Sequence, residues 1–433
     1  MSRKERIVLI GAGSLQFGLG ATGSVLMSKV LEGSTLCLHD IDAESLNLVF
    51  TACKSAIDEK ELDFSLESTI NRPDALKNAT FIINSIEVAP RFGLWEQDYE
   101  IPRKFENRQI FGENGGPGGL FHSLRVIPPI LEICEDVNKI CPNALFINFS
   151  NPMSRICLAI KRKFPSLKSI GLCHELKDHI SIIARILETP LSNLEYKAGG
   201  LNHFGIILDI KYKDTGKDAY PDVRKKGPNY LRSLETVDGH NLMNYILEKY
   251  GYWPYTTDSH IGEYIHWAWE IADIEGVHRF KDTYMQGIEY ESKKITKLIE
   301  KGKGARLVRA DNERAIPIIE GILTNSMSEE DSVNLPNNDI ITNLPRDLIV
   351  ECPAIVNKEG LQGVKLGDFP KGFAALLRNQ ASVQDLVVEA VLSKSKEIAL
   401  QALLADPVVD SYSQAEKILD EFLRLQAKHI KLE

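Results

Sequence analysis

A strand that runs directly into a glycine turn constrains the fold of this chain more than any other feature. Residues 7–10 are all apolar, and Gly11, Ala12, Gly13 and Ser14 follow before a segment with a helical pattern. Glycines at such a junction let the backbone approach a pyrophosphate, which binds at the positive N-terminus of the helix. We therefore expect Gly11, Gly13 and Ser14 to bind a dinucleotide.

The next strand indicates which dinucleotide is bound. Asp40 ends the apolar strand predicted over 35–40 and stands 27 residues after Gly13. A carboxylate there accepts a hydrogen bond from a ribose 2′-hydroxyl and repels a 2′-phosphate. We therefore expect Asp40 to select NAD over NADP. The alternative is a tight turn with a surface aspartate, because Gln16 stands where the motif has its third glycine.

Strand and helix patterns alternate up to about residue 190, and the order then changes. The alternation predicts an α/β protein with a Rossmann-like, doubly wound parallel sheet, whose ligands bind at the carboxyl ends of the strands. From 191 onward, antiparallel strands and several helices predict an α+β fold. We therefore expect an NAD-binding domain over 1–190 and an α+β domain for substrate, metal and oligomerisation over 191–433.

Charge and cysteine usage limit the partners and the compartment. The net charge of −9 argues against nucleic acid and anionic membranes as partners. No apolar run approaches the ~18 residues of a membrane-spanning helix. The seven scattered cysteines form no CxxC pair, so we expect a reduced, cytoplasmic compartment. The apolar helical segment 383–404 favours a homo-oligomer, either a dimer or a tetramer.

A cysteine and a histidine are candidates for a metal site. Cys173 follows the strand predicted over 168–172, and His203 follows two glycines thirty residues later. Thiolate and imidazole together prefer a transition metal. The alternative is a buried structural cysteine and an ordinary core histidine. His174 is an acid or base suited to neutral pH, and Glu175 is either a cleft residue or a first-turn helix acid.

Three further segments carry polar groups at positions suited to a cleft. Asn151 ends a strand, where it either contacts a ligand or caps the following helix. Asp258 and Tyr264 lie in a segment rich in titratable groups, and Tyr264 is either a base or a packed tyrosine. Arg91 lies in the glycine- and charge-rich stretch 87–118, for which we expect a long loop that acts as a substrate lid.

Taken together, these motifs resemble those of the family 4 glycoside hydrolases. They include IVLIGAGS at the start, then NFSNPM, GLCHE, GGLNHF and SHIGEY, and the late segment ALLADPVV. The likeness extends over nearly the whole chain, and the cysteine motif joined to the Asn-His motif is its most specific part. The resemblance implies a fold like that of lactate and malate dehydrogenases, NAD and a divalent metal, usually Mn²⁺, as cofactors, and a carbohydrate as substrate.

The resemblance also implies a role for each candidate residue. Cys173 and His203 would hold the metal. Tyr264 would remove the C2 proton of the sugar once its C3 had been oxidised, and His174, or else Asp258, would protonate the leaving group. Four residues would contact the substrate, and the first of them also the cofactor: Asn151, Asn202, Arg91 and Glu175.

The triplet Cys173-His174-Glu175 indicates the substrate branch. Branches that act on phosphorylated sugars carry Asp or Asn after the cysteine, whereas His174 resembles branches that act on unphosphorylated sugars. The triplet is most similar to the α-galacturonidase branch, with α-galactosidase and α-glucuronidase as alternatives. A uronate would need a cation, for which the candidates are Arg91, Arg103 and Arg279. Outside the family, the rival hypotheses are a metal-free 2-hydroxyacid dehydrogenase and a non-catalytic NAD sensor.

Overall fold

One large sheet organises the part of the chain that this computed structural model describes, residues 4–234 and 238–433. Its strands are β1 (Arg6–Ile10), β2 (Thr35–His39), β3 (Ser65–Thr69), β4 (Phe81–Asn84), β5 (Leu145–Asn148), β6 (Ser169–Gly171), β7 (Leu194–Leu201), β8 (Phe204–Tyr212), β9 (Trp253–Pro254), β10 (Glu329–Pro336), β11 (Ile349–Asn357) and β12 (Gly360–Gly363). They follow one another in the order β3-β2-β1-β4-β5-β6-β10-β11-β7-β8-β9, with β12 paired to β11.

The first six strands form the parallel half of this sheet. Each pairs in parallel with its neighbours, in the order 3-2-1-4-5-6. This is the strand order of dinucleotide-binding folds, in which the ligand lies across the carboxyl ends of the strands. The predicted Rossmann-like, doubly wound sheet is therefore confirmed. The edge strand β3 was not predicted, because its side chains are mostly exposed and give little apolar signal.

The sheet continues without a break into the second part of the chain. β10 pairs antiparallel with β6 through Asn334 and Gly171, and β11 pairs antiparallel with β7 through Glu351 and Gly200. One sheet therefore crosses the predicted boundary at residue 190, and the division into two domains stays a prediction. Because the sheet is continuous, the two-residue turn between β7 and β8 lies at the edge where the parallel strands end.

Helices cover the sheet and its ends. They are α1 (Phe17–Met27), α2 (Ala43–Lys60), α3 (Arg72–Leu76), α4 (Arg91–Lys104), α5 (Gly116–Ile140), α6 (Met153–Lys163), α7 (Glu175–Ile186), α8 (Tyr220–Ser233), α9 (Asn241–Tyr250), α10 (Asp258–Ile261), α11 (Ile274–Glu300), α12 (Ala315–Thr324), α13 (Lys371–Ser393), α14 (Lys396–Ala405) and α15 (Tyr412–Leu425). None of the described helices is both long and apolar enough to cross a membrane.

The prediction of a long loop over 87–118 is wrong. Helix α4 occupies much of that stretch and buries Leu94, Trp95 and Ile101, and α5 begins at Gly116. The internal Pro102 and the many charges of α4 hide its helical period from the sequence. Arg91 is therefore the first residue of a packed helix and does not belong to a mobile lid.

The apolar C-terminal helices pack inside the chain. Val383, Val387 and Val388 of α13 join a core cluster with residues of α5 and α6. This packing accounts for the apolar pattern over 383–404 within one copy of the chain. The homo-oligomer expected from that pattern stays a prediction.

Candidate active site

The glycine turn after β1 lies against the end of β2. Gly11 has φ of +85°, and its N–H donates to the carbonyl of His39 over 3.0 Å. The N–H of Gly13 donates to Oδ2 of Asp40 over 2.7 Å, and a Cβ at Gly13 would stand only 2.8 Å from that oxygen. Ser14 closes the turn, since its Oγ accepts the N–H of Phe17. Only glycines fit here, and the bare backbone leaves room for a dinucleotide at the N-terminus of α1.

Buried amides join the neighbouring strand ends. Asn84 Nδ2 donates to Asn148 Oδ1 over 2.9 Å, and Ser150 Oγ donates to the carbonyl of Ile86 over 2.7 Å. Asn84 and Asn148 therefore hold β4 and β5 together. Asn151 follows them in the chain, and its buried Oδ1, like that of Asn84, accepts no hydrogen bond from the described residues. That oxygen is available to a ligand.

Cys173 and His203 lie together at this edge of the sheet. Cys173 follows β6, and His203 lies in the β7–β8 turn with φ of +58°. Cys173 Sγ stands 3.4 Å from His203 Nε2. Burial lowers the pKa of His203 well below 6.5, so its imidazole is neutral, the form that binds metals.

Two further side chains stand beside this pair. The ring of His260 stacks on that of His203, with centroids 4.4 Å apart and an angle of 13° between the planes. Glu175 Oε1 lies 3.9 Å from His260 Nε2. One ligand atom each from Glu175, His203 and His260 falls within 4.8 Å of the others. With Cys173, the group offers sulfur, nitrogen and oxygen donors, a set that suits a transition metal.

Asn202 faces the protein interior. It is 4% exposed, and its Nδ2 donates to Glu351 Oε2 over 2.7 Å. Its backbone N–H donates to Ser154 Oγ over 3.2 Å. Burial and the charge of Glu351 raise the pKa of the Cys173 thiol well above 9. Asn202 directly precedes His203 in the sequence, and its contacts are with Glu351 and Ser154.

Tyr264 lies deep in the cleft, next to a buried arginine. The tyrosine is 4% exposed, and its ring stacks on Phe204 with centroids 4.9 Å apart. Burial and the charge of Glu263 raise the pKa of Tyr264 well above 10, and the charge of Arg155 opposes them. Arg155 is 1% exposed, and its Nη2 has no hydrogen-bond partner among the described residues. The guanidinium is thus a fixed positive charge near the phenol.

Glu263, the residue before Tyr264, fixes this segment to the start of α5. Its Oε1 accepts the backbone N–H groups of Glu113 and Asn114. Burial raises the pKa of Glu263 to about 7. The sequence gives no signal for this contact, since its partners lie 149 and 150 residues away.

His174 points to the rim of the cleft. Its side chain is 57% exposed, and its Nδ1 lies 3.2 Å from Glu313 Oε1. The hydrogen bond to Glu313 raises the pKa of His174 to about 9. The imidazole therefore carries a proton at neutral pH, as a proton donor must.

The acid role expected for Asp258 is corrected by the structure, because its carboxylate accepts hydrogen bonds from the backbone. Oδ2 accepts the backbone N–H groups of Leu242 and Asp273, and Oδ1 accepts that of Met243, each over 3.0 Å. The residue is 0% exposed, and burial raises its pKa to about 6. These bonds join the starts of α9 and α11 and leave no position for a leaving group. Asp258 is therefore withdrawn as a candidate acid.

We expect Asp258→Ala to lower the free energy of unfolding by about 2–3 kcal/mol, because it leaves buried N–H donors without an acceptor. The loss should appear in a urea titration. Asp58→Ala, which removes an exposed partner of Lys54, is the control and should cost less than about 1 kcal/mol. Unchanged stability together with a kcat about 100-fold lower would return Asp258 to an acid role.

The three arginines proposed for a uronate all face acidic or aromatic groups. Arg91 donates to the Tyr284 hydroxyl over 3.2 Å and interacts electrostatically with Glu87 and Glu113. Arg103 pairs with Glu100 and lies over the ring of Tyr99. Arg279 lies 3.6 Å from Asp273 and 3.9 Å from Glu275. Each guanidinium therefore has carboxylates of the chain as its neighbours.

Comparisons with known proteins agree with this arrangement of turn, strand ends and donor set. Residues 6–189 match the model of family 4 glycosyl hydrolases, and residues 198–409 match the model of the C-terminal domain of that family. An alpha-glucosidase of Erwinia rhapontici is 41% identical, over 97% of this chain and 98% of that protein. An alpha-galacturonidase of Thermoanaerobacter italicus is 28% identical, over 98% and 97%.

A solved structure has the same fold. It is a 6-phospho-alpha-glucosidase from gut microorganisms in complex with NAD and Mn²⁺, with a TM-score of 0.85 and 20% identity over the whole of both chains. At that identity the likeness concerns the fold. The two family matches together cover most of the sequence. This chain therefore belongs to family 4 of the glycosyl hydrolases.

Proposed function

We propose that this chain is an NAD- and divalent-metal-dependent glycosidase that hydrolyses an unphosphorylated, uncharged α-glucoside. The convergence of Cys173 Sγ and His203 Nε2, 3.4 Å apart at the strand edge that also carries the glycine turn, is the observation that carries the proposal. A hydrolase needs a dinucleotide crevice only if oxidation and reduction take part in cleavage. The alpha-glucosidase relative at 41% identity and the fold neighbour in complex with NAD and Mn²⁺ support it.

The residues at the edge of the sheet fit both cofactors. Gly11, Gly13, Ser14, Asp40 and Asn151 would hold NAD. Cys173 and His203 would hold Mn²⁺, with Glu175 and His260 beside them. When bound, the cofactors supply reversible oxidation at C3 of the sugar and Lewis-acid polarisation of its oxygens.

The protein side chains supply the proton transfers. Tyr264 removes the proton at C2, which is acidic once C3 carries a carbonyl, and the charge of Arg155 favours the phenolate. The protonated His174 gives its proton to the departing oxygen as the C1–O bond breaks. Asn151 Oδ1 accepts a hydroxyl of the sugar or of the cofactor ribose. Water then adds at C1 and gives one proton to His174, while Tyr264 returns its proton to C2.

The charges around the cleft favour an uncharged sugar. Five glutamates surround it and outnumber the cationic Arg155 and His174: Glu87, Glu113, Glu175, Glu263 and Glu313. A uronate or a phosphate would bring a further negative charge, which the paired Arg91, Arg103 and Arg279 are poorly placed to neutralise. The α-galacturonidase branch expected from the CHE triplet is thus a weaker proposal than an α-glucosidase. The higher identity to the alpha-glucosidase relative points the same way.

A panel of nitrophenyl glycosides tests the sugar. It comprises the α-glucoside, α-galactoside, α-galacturonide, α-glucuronide and 6-phospho-α-glucoside, each with NAD, Mn²⁺ and reductant and with each component omitted. We expect kcat/KM for the α-glucoside to exceed the others by about tenfold or more, since one unpaired buried charge costs well over 1.4 kcal/mol. Cys173→Ser, prepared in parallel, controls for contaminating glycosidases. Preferential cleavage of the galacturonide would reverse the assignment of the sugar.

The same assay separates the proposal from a 2-hydroxyacid dehydrogenase. The proposed reaction returns its hydride, so NAD is needed in catalytic amounts and no NADH accumulates during turnover. A dehydrogenase releases one NADH for each hydroxy acid and needs no metal. Stoichiometric NADH from a hydroxy acid, with no glycoside cleaved, would refute the glycosidase.

A further inference from the structure

We propose that Glu351 is a positioning residue of the metal site, which acts by holding the side chain of Asn202 and with it the turn that carries His203. The inference rests on the proposed assignment of Cys173 and His203 as metal ligands. Glu351 stands on β11, 149 residues from Asn202, and only the antiparallel pairing of β11 with β7 brings the two together.

Glu351 is buried among uncharged hydrogen-bond donors. It is 2% exposed, and its Oε2 accepts Nδ2 of Asn202 over 2.7 Å and Nδ2 of Asn334 over 3.2 Å. Its Oε1 accepts the hydroxyl of Ser332 over 2.6 Å, and the Tyr255 hydroxyl also hydrogen-bonds to the carboxylate. Burial raises the pKa of Glu351, and the donors on both oxygens oppose that shift and favour the ionised carboxylate, which can only accept hydrogen bonds.

This acceptor decides which way the Asn202 amide faces. Because the carboxylate cannot donate, Asn202 must turn its nitrogen toward Glu351. Asn202 directly precedes His203, whose Nε2 stands 3.4 Å from Cys173 Sγ. The backbone of Asn202 is held as well, since its N–H donates to Ser154 Oγ over 3.2 Å. Both contacts of Asn202 hold the turn that places the His203 imidazole beside the sulfur.

A cation bound nearby would also offset the negative charge of Glu351. Burying a carboxylate without a cationic partner costs free energy, and the side chains that hydrogen-bond to Glu351 are all neutral. A divalent ion held by Cys173 and His203 would offset that charge.

The test is Mn²⁺ binding to the full-length protein under reductant, measured by titration calorimetry without sugar. We expect Glu351→Gln to raise Kd about 10- to 100-fold, because a glutamine can donate and lets the Asn202 amide flip. The sulfur-to-cobalt charge-transfer band of the Co²⁺-loaded protein should weaken in parallel. Asn202→Ala should raise Kd similarly, and the double variant should be no worse than either single one, because both act through one path.

The matched control is Glu330→Gln, which also removes the charge of a buried glutamate in this sheet. Glu330 is 4% exposed and is held by Arg314 over 2.6 and 2.8 Å, with no contact to the metal pair. Its substitution should lower stability yet leave the Mn²⁺ Kd within about twofold.

The outcomes distinguish this inference from the proposed function. If Cys173→Ser binds Mn²⁺ as tightly as the unmodified protein, the ligand assignment itself is wrong. If Cys173→Ser loses the metal while a folded Glu351→Gln keeps the original Kd, only the role of Glu351 is overturned. If Glu351→Gln does not fold, Asn202→Ala decides, and an unchanged Kd in that variant rejects the proposal.

Discussion

Replacing Cys173 with serine is expected to reduce kcat/KM for the preferred glycoside by about 1,000-fold, the equivalent of roughly 4 kcal/mol of transition-state stabilisation. A serine hydroxyl does not ionise near neutral pH, so the site loses its anionic sulfur ligand. His203, 3.4 Å from that sulfur, would keep a neutral nitrogen that binds Mn²⁺ weakly on its own. Initial rates at several Mn²⁺ concentrations measure the effect, and excess metal should restore little activity.

Two controls test whether the loss of activity in Cys173→Ser comes from the metal site. Cys141→Ser changes another cysteine, which is buried at the end of α5 near the amino ends of the strands, and should leave kcat/KM within about threefold. NAD binding to Cys173→Ser, followed by fluorescence, should be unchanged, because the glycine turn lies on β1. If Cys173→Ser retained a tenth or more of the activity, cleavage would not depend on the metal pair.

The sequence predicted the cofactor half of this molecule because its signals are local. The apolar strand, the glycine turn and Asp40 fall within one strand-helix-strand unit, and parallel strands bring their carboxyl ends to one edge. The same rule predicts Asn151 and Cys173 at that edge. The two glycines shortly before His203 and the family motif together predict that His203 lies in a turn at the same site.

The remaining parts depend on contacts between distant segments. His260 reaches His203 by ring stacking, and Glu351 reaches Asn202 through the antiparallel extension of the sheet. The periodicity and spacing of the sequence do not predict such pairings, because they form only when β10 and β11 join the parallel strands. Asp258 shows the opposite error: an acid in a titratable cluster resembles a catalyst in sequence, whereas three backbone N–H groups occupy its carboxylate.

Replacing Tyr264 with phenylalanine is expected to lower kcat by about 100- to 10,000-fold, the range for loss of a general base. Phenylalanine keeps the ring stacked on Phe204, 4.9 Å between centroids, so the fold and the cleft should persist. The lost hydroxyl affects proton removal at C2 and leaves oxidation at C3 in place. The variant should therefore still form enzyme-bound NADH when mixed with substrate, while it no longer exchanges the C2 hydrogen with solvent.

Exchange at C2 is the decisive measurement for this residue, since it reports deprotonation separately from overall cleavage. The substrate carries deuterium at C2, and its loss to water is followed by mass spectrometry in both proteins. Tyr220→Phe is the matched control, because it removes another buried hydroxyl, one that donates to the carbonyl of Ile207, and should leave exchange intact. Exchange at the original rate in Tyr264→Phe would assign the base to another group, and Glu263, whose pKa burial raises to about 7, would be the next to test.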